Sequence, residues 1–472
     1  GPPRGNPRRC PPPIETGRAL TGRPVRSTTV ARVLTAAVFV PSPPLLVPEL
    51  NGLAAGETDD LRGAALTAGP LILPSGILAA QGNPGANDRI GVGVIGPGRQ
   101  GSSLMGQYPR DGAELVAFAD CYQARLDRAL SKFPKAKAYR NYRDLLQDPN
   151  VDAVMIATPD HWHALNTIHA CEAGKDVYVE KPMCLTVREG QLMVAAAETH
   201  GRIVTTGSMQ RSMEACRIGC EMVRNGRAGK IHTVHTNNYP SPWECTLSEQ
   251  PVPEGLDWDF WCGQTDPRPY HELLYAPRGN GKKDERGPLG WISYRPYSGG
   301  EVTGWGPHGL DLIQWALGMD NDGPVELWPE GEGGWAPVSF RYANGVTVHL
   351  DDKGPAGGGV FVGDAGEIMI DRNKYDARPK EIVQDPIGAS ETHLEVSKDH
   401  MQNWLDCIRS RQKPITEVHV GHSTTTLCHL INITRWVGRK LHWDPKTERF
   451  TDDEANGHLK RHMREPYRLE EA

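Results

Sequence analysis

Three closely spaced glycines have a pattern that suits phosphate chemistry. Gly96, Gly98 and Gly101 stand in the order G-x-G-x-x-G, directly after the apolar run 90–95. In this pattern the first glycine permits a tight turn, the second lets the backbone approach a pyrophosphate, and the third permits close packing of a helix on a strand. Asp120 follows Gly101 by nineteen residues, where a carboxylate would accept a ribose 2′-hydroxyl and repel a 2′-phosphate. The spacing predicts a dinucleotide site that favours NAD over NADP; the alternative is a glycine-rich turn beside a solvated aspartate.

The sequence around this loop alternates short apolar runs with helical stretches, which is typical of a parallel sheet with crossover helices. We predict strands at 90–95, 113–119, 151–157, 176–179 and 202–206, and helices at 102–108, 163–173 and from the capping box of Thr186 and Glu189 to before Gly201. Ligands of such doubly wound sheets bind outside the carboxyl ends of the strands. The candidate cofactor-binding residues are Gly96, Gly98, Arg99, Gln100, Gly101, Asp120, Thr158, Pro159, His161, His163, Glu180 and Lys181.

Several further motifs follow in order along the chain. They are ATPDHWHA at 157–164, EKP at 180–182, PVPEGLDWDFW at 251–261, SGGEVTGWGPHGLDLIQWALGMD at 298–320 and HMQNWLDCIRSRQKP at 400–414. Together with the glycine loop they resemble the Gfo/Idh/MocA oxidoreductases, a family that includes glucose–fructose oxidoreductase and inositol dehydrogenase, over residues 89–469. The resemblance implies that Lys181 contacts the reacting hydroxyl, that the Lys181–Pro182 peptide is often cis, and that His308 lies on the opposite side of the substrate.

The chemistry of a hydride transfer agrees with these roles. A hydroxyl that loses hydride from its carbon must also lose its proton, so a positioned acid/base is needed. Lys181 can take this role and can also hydrogen-bond the developing alkoxide; without the strand context and the motif order, a lysine between glutamate and proline would in most cases be a surface charge. His308 is either the alternative base or an orienting group. We expect Lys181, Trp162, Gln210, Trp305 and His308 to bind substrate.

One position departs from the family pattern. Relatives commonly carry an aspartate where this chain has Gly304. Asp311 lies on the face of His308 if the segment is helical, and it is a candidate catalytic residue in place of the missing carboxylate; the helix macrodipole explains an early helical aspartate equally well. His161, His163, His308 and Asp311 could also be taken for zinc ligands, but the spacing does not require a metal and we predict none.

The composition of the chain limits the classes of function and the cellular locations that remain. The chain has 472 residues, 52 basic and 58 acidic, for a net charge of −6, which argues against a nucleic-acid or anionic-membrane surface. Residues 1–87 are rich in proline and arginine at their start and contain Arg8-Arg9 and two short apolar stretches. They form either a disordered leader or a degenerate export signal. Location is therefore open between the cytoplasm and twin-arginine-type export to the periplasm.

Residues 88–211 are thus predicted to form a Rossmann domain, and residues 212–472 an α+β domain with a large, mainly antiparallel open sheet. The strand-like runs 338–342, 346–350, 360–362 and 367–370 support that sheet, and the helical stretches 400–410 and 423–437 are expected to return to the first domain. The family resemblance implies use of the sheet for a dimer or tetramer. We expect an NAD-dependent oxidoreductase acting on a secondary hydroxyl of a sugar, glycoside or polyol. A redox-assisted glycoside lyase or hydrolase and a non-catalytic NAD or sugar sensor are the alternatives.

Overall fold

The computed structural model describes residues 89–469, apart from 111, 244–246, 282 and 285–286. The predicted leader, residues 1–87, lies outside the described residues. Two sheets dominate the described part of the chain. The first is six-stranded, in the order β3-β2-β1-β4-β5-β6, and every neighbouring pair in it is parallel. Its strands are β1 (Ile90–Ile95), β2 (Ala113–Ala119), β3 (Lys137–Tyr139), β4 (Ala153–Ile156), β5 (Asp176–Val179) and β6 (Val204–Thr206).

This is the predicted doubly wound sheet. Its central strands β1, β4 and β5 are buried along their whole length, as near-continuous apolar runs require when helices cover both faces. The edge strand β3 was not predicted, because it is short, carries a lysine and is mostly exposed. The crossover helices are α1 (Arg99–Met105), α2 (Gln123–Lys132), α3 (Tyr142–Leu146), α4 (His163–Glu172) and α5 (Val187–Thr199).

The predicted capping box at the start of α5 is present. The Thr186 hydroxyl accepts a hydrogen bond from the Glu189 amide at 3.2 Å, and a Glu189 carboxylate oxygen accepts one from the Leu185 amide at 2.8 Å. The first bond satisfies an amide of the first helical turn, and the second fixes the residue that precedes the N-cap. The helix therefore begins where the sequence predicts.

The second sheet has nine strands in the order β15-β14-β13-β7-β12-β11-β10-β16-β17. All neighbouring pairs are antiparallel except β7 with β12, which confirms the mainly antiparallel prediction. Its strands are β7 (Ile231–Thr236), β10 (Pro324–Pro329), β11 (Val338–Tyr342), β12 (Thr347–Leu350), β13 (Gly359–Gly363), β14 (Gly366–Asp371), β15 (Lys374–Arg378), β16 (Leu441–Asp444) and β17 (Arg449–Phe450). A short separate pair consists of β8 (Lys283–Asp284) and β9 (Gly287–Pro288).

Helices cover this sheet and connect it to the first one. They are α6 (Glu214–Arg224), α7 (Trp258–Cys262), α8 (Glu272–Tyr275), α9 (Glu301–Gly304), α10 (Gly306–Leu317), α11 (His400–Ser410), α12 (Val418–Val437) and α13 (Asp453–Gly457). α10 and α12 share an apolar core with the nine-stranded sheet, whereas Met401, Trp404 and Leu405 of α11 pack in the core of the first sheet. No helix in the described part of the chain is both long and apolar enough to span a bilayer. The domain boundary after residue 211 and the homo-oligomer stay predictions.

Candidate active site

A cleft of about 760 Å³ opens where the carboxyl ends of the parallel strands face the second half of the chain. The first half contributes the glycine loop and the residues after β4 and β5. The second half contributes the segment of α9 and α10 and the turn between β14 and β15. Residues that line the cleft include Gly98, Arg99, Gln100, Thr158, Pro159, Asp160, His163, Glu180, Lys181, Arg278, Glu301, Gly304, Trp305, His308 and Arg372. The cleft therefore lies where ligands of doubly wound sheets bind, beyond the carboxyl ends of the strands.

The glycine loop leaves no room for side chains at its critical positions. Gly96 has a φ of +83°, and a Cβ there would lie 2.9 Å from the Thr158 amide nitrogen. A Cβ on Gly101 would lie 2.3 Å from the Gly96 carbonyl oxygen, so only glycine allows α1 to pack this closely on β1. Gln100 donates a hydrogen bond to the Glu180 carboxylate at 2.8 Å. These contacts shape a loop over which a pyrophosphate would fit.

Asp120, just after the end of β2, has one carboxylate oxygen that lacks a hydrogen-bond donor in the described part of the chain but forms an ion pair with Arg125. Its Oδ1 accepts a hydrogen bond from the Tyr122 amide at 2.9 Å, but no described residue donates one to its buried Oδ2. Burial raises the pKa of Asp120, and the Arg125 guanidinium, 3.5 Å from Oδ2, opposes that increase. A ribose hydroxyl would donate a hydrogen bond to this oxygen, so the residues present fit a dinucleotide.

Arg125 itself was not predicted, although it lies only five residues past Asp120. Its guanidinium stacks on Tyr275 at 4.7 Å and lies 3.2 Å from where a Cβ of Gly98 would be. It therefore occupies the space between the glycine loop and Asp120. An arginine beside the ribose can accommodate a 2′-phosphate, so the charge at this end of the cleft is mixed rather than purely negative.

Lys181 and His308 meet across the cleft, as the motifs predict. The Lys181 ammonium donates a hydrogen bond to the Gly304 carbonyl at 2.7 Å, and the Lys181–Pro182 peptide is cis. His308 is 5% exposed, and its Nδ1 has no hydrogen-bond partner among the described residues. Burial, with smaller contributions from Lys181 and Arg372, lowers the pKa of His308. Its imidazole is therefore neutral at neutral pH.

Glu301 occupies the region of the missing aspartate. A Cβ on Gly304 would lie 3.2 Å from a Glu301 carboxylate oxygen. Glu301 stands one helical turn earlier, and its carboxylate therefore lies beside position 304, where relatives carry the aspartate. Arg278 holds that carboxylate with two hydrogen bonds of 2.7 and 2.9 Å. Sequence reasoning missed this pair because nothing local connects Arg278 with Glu301 across 23 residues.

Asp160 is a second carboxyl group that the prediction left out, although it belongs to the ATPDHWHA motif. It is 4% exposed and accepts a hydrogen bond from the Ser298 hydroxyl at 2.6 Å. Burial raises the pKa of Asp160 to about 7, against the opposing effects of Ser298 and Lys181. An acid/base works best when its pKa is near the working pH, so Asp160 is a candidate proton-exchanging group of the cleft.

The structure does not bring Asp311 into the cleft. Its carboxylate is buried in a forked pair with Arg211, with hydrogen bonds of 3.0 and 2.8 Å, and it also accepts one from Thr424. This corrects the expectation that Asp311 replaces the carboxylate lost at Gly304. Position 311 lies on the face of α10 that packs against the turn after β6, and that face does not line the cleft.

Other predicted residues support the site without lining the cleft. His161 and Trp162 both bond the Trp261 carbonyl, at 2.9 and 3.0 Å, and burial lowers the pKa of His161 to about 3. Trp162 instead borders a smaller cavity beside Asp120. Gln210 donates to the His308 carbonyl at 3.0 Å and so positions that histidine's backbone.

His163 does line the cleft, but its ring lies within 2.7 and 2.9 Å of the Pro182 and Thr158 carbonyl oxygens. Burial lowers its pKa to about 4. Among the residues that the structure describes, no group of three or more His, Cys, Asp or Glu side chains is arranged to hold a metal ion.

Comparison with known proteins identifies the family. Residues 90–208 match the NAD-binding Rossmann fold of the Gfo/Idh/MocA oxidoreductase family, and residues 231–469 match the family's C-terminal alpha/beta domain. The chain therefore belongs to the Gfo/Idh/MocA oxidoreductases, as the motifs indicated, and its fold is built for a nicotinamide cofactor.

Individual relatives divide between two chemistries. A glycosyl hydrolase family 109 protein of Shewanella baltica is 37% identical over 155 residues, 30% of this chain and 34% of that protein. The 1-carboxy-3-chloro-3,4-dihydroxycyclohexa-1,5-diene dehydrogenase of Comamonas testosteroni is 30% identical over 149 residues, 31% of this chain and 38% of that protein. The matches thus span little more than a third of either relative.

A solved structure agrees with the fold over a longer stretch. The WlbA dehydrogenase of Bordetella pertussis, in complex with NADH and UDP-GlcNAcA, covers 75% of this chain and 99% of its own, with 18% identity and a TM-score of 0.53. At this identity the likeness describes the fold alone.

Proposed function

We propose that this protein transfers hydride between a nicotinamide cofactor and a secondary hydroxyl of a sugar, glycoside or polyol. The observation that carries the proposal is the meeting of Lys181 and His308 in one cleft with the glycine loop. A bound nicotinamide supplies the hydride acceptor. The dehydrogenase among the relatives supports this reaction class.

The side chains of the cleft have complementary roles in this proposal. Lys181 donates one of its three N–H groups to the Gly304 carbonyl, which leaves two that can face a substrate oxygen. In the oxidation direction the deprotonated amine of Lys181 takes the hydroxyl proton as the hydride leaves for the nicotinamide; in the reduction direction the ammonium hydrogen-bonds the substrate oxygen and returns the proton. His308, which also lines the cleft, orients the hydroxyl with its neutral imidazole. Asp160 exchanges protons with the cleft near neutral pH.

NAD is the proposed cofactor, with NADP as the less favoured alternative. The Oδ2 of Asp120, which has no hydrogen-bond donor among the described residues, supports NAD, because a carboxylate accepts a ribose hydroxyl and repels a phosphate. Arg125 is the feature that would lessen this preference.

Replacement of Lys181 by methionine tests the proposal. With NAD and a panel of sugars and glycosides, the full-length protein should form NADH and an equal amount of a keto-sugar, followed by absorbance and mass spectrometry. We expect Lys181→Met to lower kcat by about 10²- to 10⁴-fold, the usual contribution of an acid/base, with NAD affinity within about threefold of the original. Lys175→Met is the matched control, since Lys175 lies immediately before β5 and Lys181 lies just after its end. Unchanged turnover in Lys181→Met would refute the assigned role.

Redox-assisted glycoside cleavage is the second candidate, and the match to glycosyl hydrolase family 109 proteins favours it. Transient oxidation beside an acidic C–H would permit elimination, with the hydride returned afterwards. Cleavage products without net NADH in the same assay would support this reading. Binding of NAD and sugar with neither product would instead support a non-catalytic sensor.

A further inference from the structure

A hairpin turn of the nine-stranded sheet reaches the cleft. β14 and β15 are joined by Arg372 and Asn373, and Asn373 has a φ of +60°. The turn is held from both sides: the Asn373 amide donates to the Cys216 thiol at 3.4 Å, and the Asp371 carboxylate accepts from the Gly357 amide at 3.2 Å. A turn anchored in this way presents Arg372 to the cleft in a defined position.

The charge of Arg372 is not balanced by a neighbouring acid. Its guanidinium lies over the Trp305 ring at 5.3 Å, and none of the described acidic side chains forms an ion pair with it. The nearby Arg278, by contrast, is paired with Glu301. Because stacking on an aromatic ring leaves the N–H groups at the guanidinium edge free, Arg372 can still bind an anion in two-point fashion.

The neighbours of Arg372 add further donors at the same end of the cleft. Trp305 Nε1 and His308 Nδ1 are buried and have no partner among the described residues. The ammonium of Lys181 lines the same cleft. The guanidinium is close enough to His308 to lower that histidine's pKa. The positive charges of Arg372 and Lys181 therefore make this part of the cleft favourable for an anion.

We propose that the substrate carries a carboxylate, as a uronic acid or uronide does, and that Arg372 binds it and sets the specificity of the cleft. This inference rests on the proposed function, because it names the substrate class of the same site. The planar fork of a guanidinium matches a carboxylate. A phosphate fits less well, because Asp160 and Glu301 also line the cleft and would repel a dianion more strongly than a monoanion.

Matched sugar pairs test the inference directly. Full-length protein loaded with NAD is titrated calorimetrically with methyl glucuronide against methyl glucoside, and with the galacto and manno pairs, each differing only at C6. At least one uronide should bind about 10- to 100-fold more tightly than its neutral partner, the range of a charged hydrogen-bonded contact. Arg372→Gln should reduce that preference to less than about threefold, and Arg372→Lys should restore part of it.

Lys374→Gln is the control, since it removes the same charge from the same hairpin at an exposed side chain. It should keep the full preference. The inference is overturned if no uronide is preferred, if the preference survives in Arg372→Gln, or if glucose 6-phosphate is preferred to glucuronate. Turnover in the same samples separates the two proposals. Oxidation of neutral sugars with no preference for uronides would support hydride transfer and contradict the role of Arg372. Uronide binding that depends on Arg372 but leads to no turnover would support the role of Arg372 and contradict hydride transfer.

Discussion

Asp160 illustrates how burial changes the behaviour of a single residue. Its carboxyl group is nearly inaccessible to solvent, and its pKa is raised to about 7 because desolvation outweighs the hydrogen bond from Ser298. The folded protein therefore holds a proton that the unfolded chain releases above about pH 4. Stability consequently falls as the pH rises from about 4 to about 7, and is level above that range.

Asp160→Asn should remove this pH dependence. The amide cannot ionise, so the variant should lose less unfolding free energy than the original protein between pH 5 and 8, with a difference of about 2–3 kcal/mol. Urea unfolding of the cofactor-free proteins at several pH values measures it. Asp266→Asn, at an exposed aspartate, is the control and should reproduce the original pH profile. Parallel curves for Asp160→Asn and the original protein would show that Asp160 is ionised throughout.

At the scale of elements, α1 and β1 depend on contacts that only glycine allows. Gly101→Ala would place a methyl group 2.3 Å from the backbone oxygen of Gly96, and backbone cannot yield as a flexible side chain can. We expect a loss of about 1–3 kcal/mol from overpacking and at least tenfold weaker NAD binding, since the loop must shift away from the pyrophosphate.

Gly106→Ala is the matched control for this prediction. Gly106 ends the same helix with a φ of −64°, and its added Cβ would lie 3.3 Å from the Ser103 oxygen. Thermal unfolding and NAD titration should find this variant close to the original protein. Equal NAD affinity in both alanine variants would contradict the placement of the pyrophosphate on this loop.

At the scale of the whole molecule, the last part of the chain stabilises the first. Trp404 of α11 is fully buried in the core of the six-stranded sheet and makes an edge contact with Tyr178 of β5, with 5.7 Å between ring centroids. Residues more than 200 positions apart thus share one core. The Rossmann half therefore requires the C-terminal helix for its full stability.

Trp404→Ala should cost about 3–5 kcal/mol, the usual penalty for removing a large buried aromatic side chain. Urea unfolding followed by circular dichroism should show an earlier first transition. Trp335→Ala, at a side chain that is 45% exposed, should change the unfolding free energy by no more than about 0.5 kcal/mol. A Trp404→Ala variant as stable as the Trp335→Ala control would show that α11 does not support the first sheet.

The sequence by itself determined the features that depend on neighbouring residues. The glycine spacing, the buried strands around it, the capping box at Thr186 and the limits of α11 at 400–410 all follow from rules that act over a few residues. The family resemblance implied that Lys181 and His308 share one site, and both line the cleft. Local rules did not reveal β3, because a short, mostly exposed edge strand has no distinctive apolar pattern.

Only the tertiary structure decided which polar groups share the cleft. Lys181 and the Gly304 carbonyl are separated by 123 residues, and Arg372 arrives from a hairpin of the other sheet. The same packing pairs Asp311 with Arg211, 100 residues away, and leaves Glu301 beside the empty position at Gly304. Such contacts depend on how two sheets and their connecting helices pack. A buried charge must be paired, and the packing determines which residue is near enough to pair with it. The spacing of residues along the chain therefore does not predict these pairs.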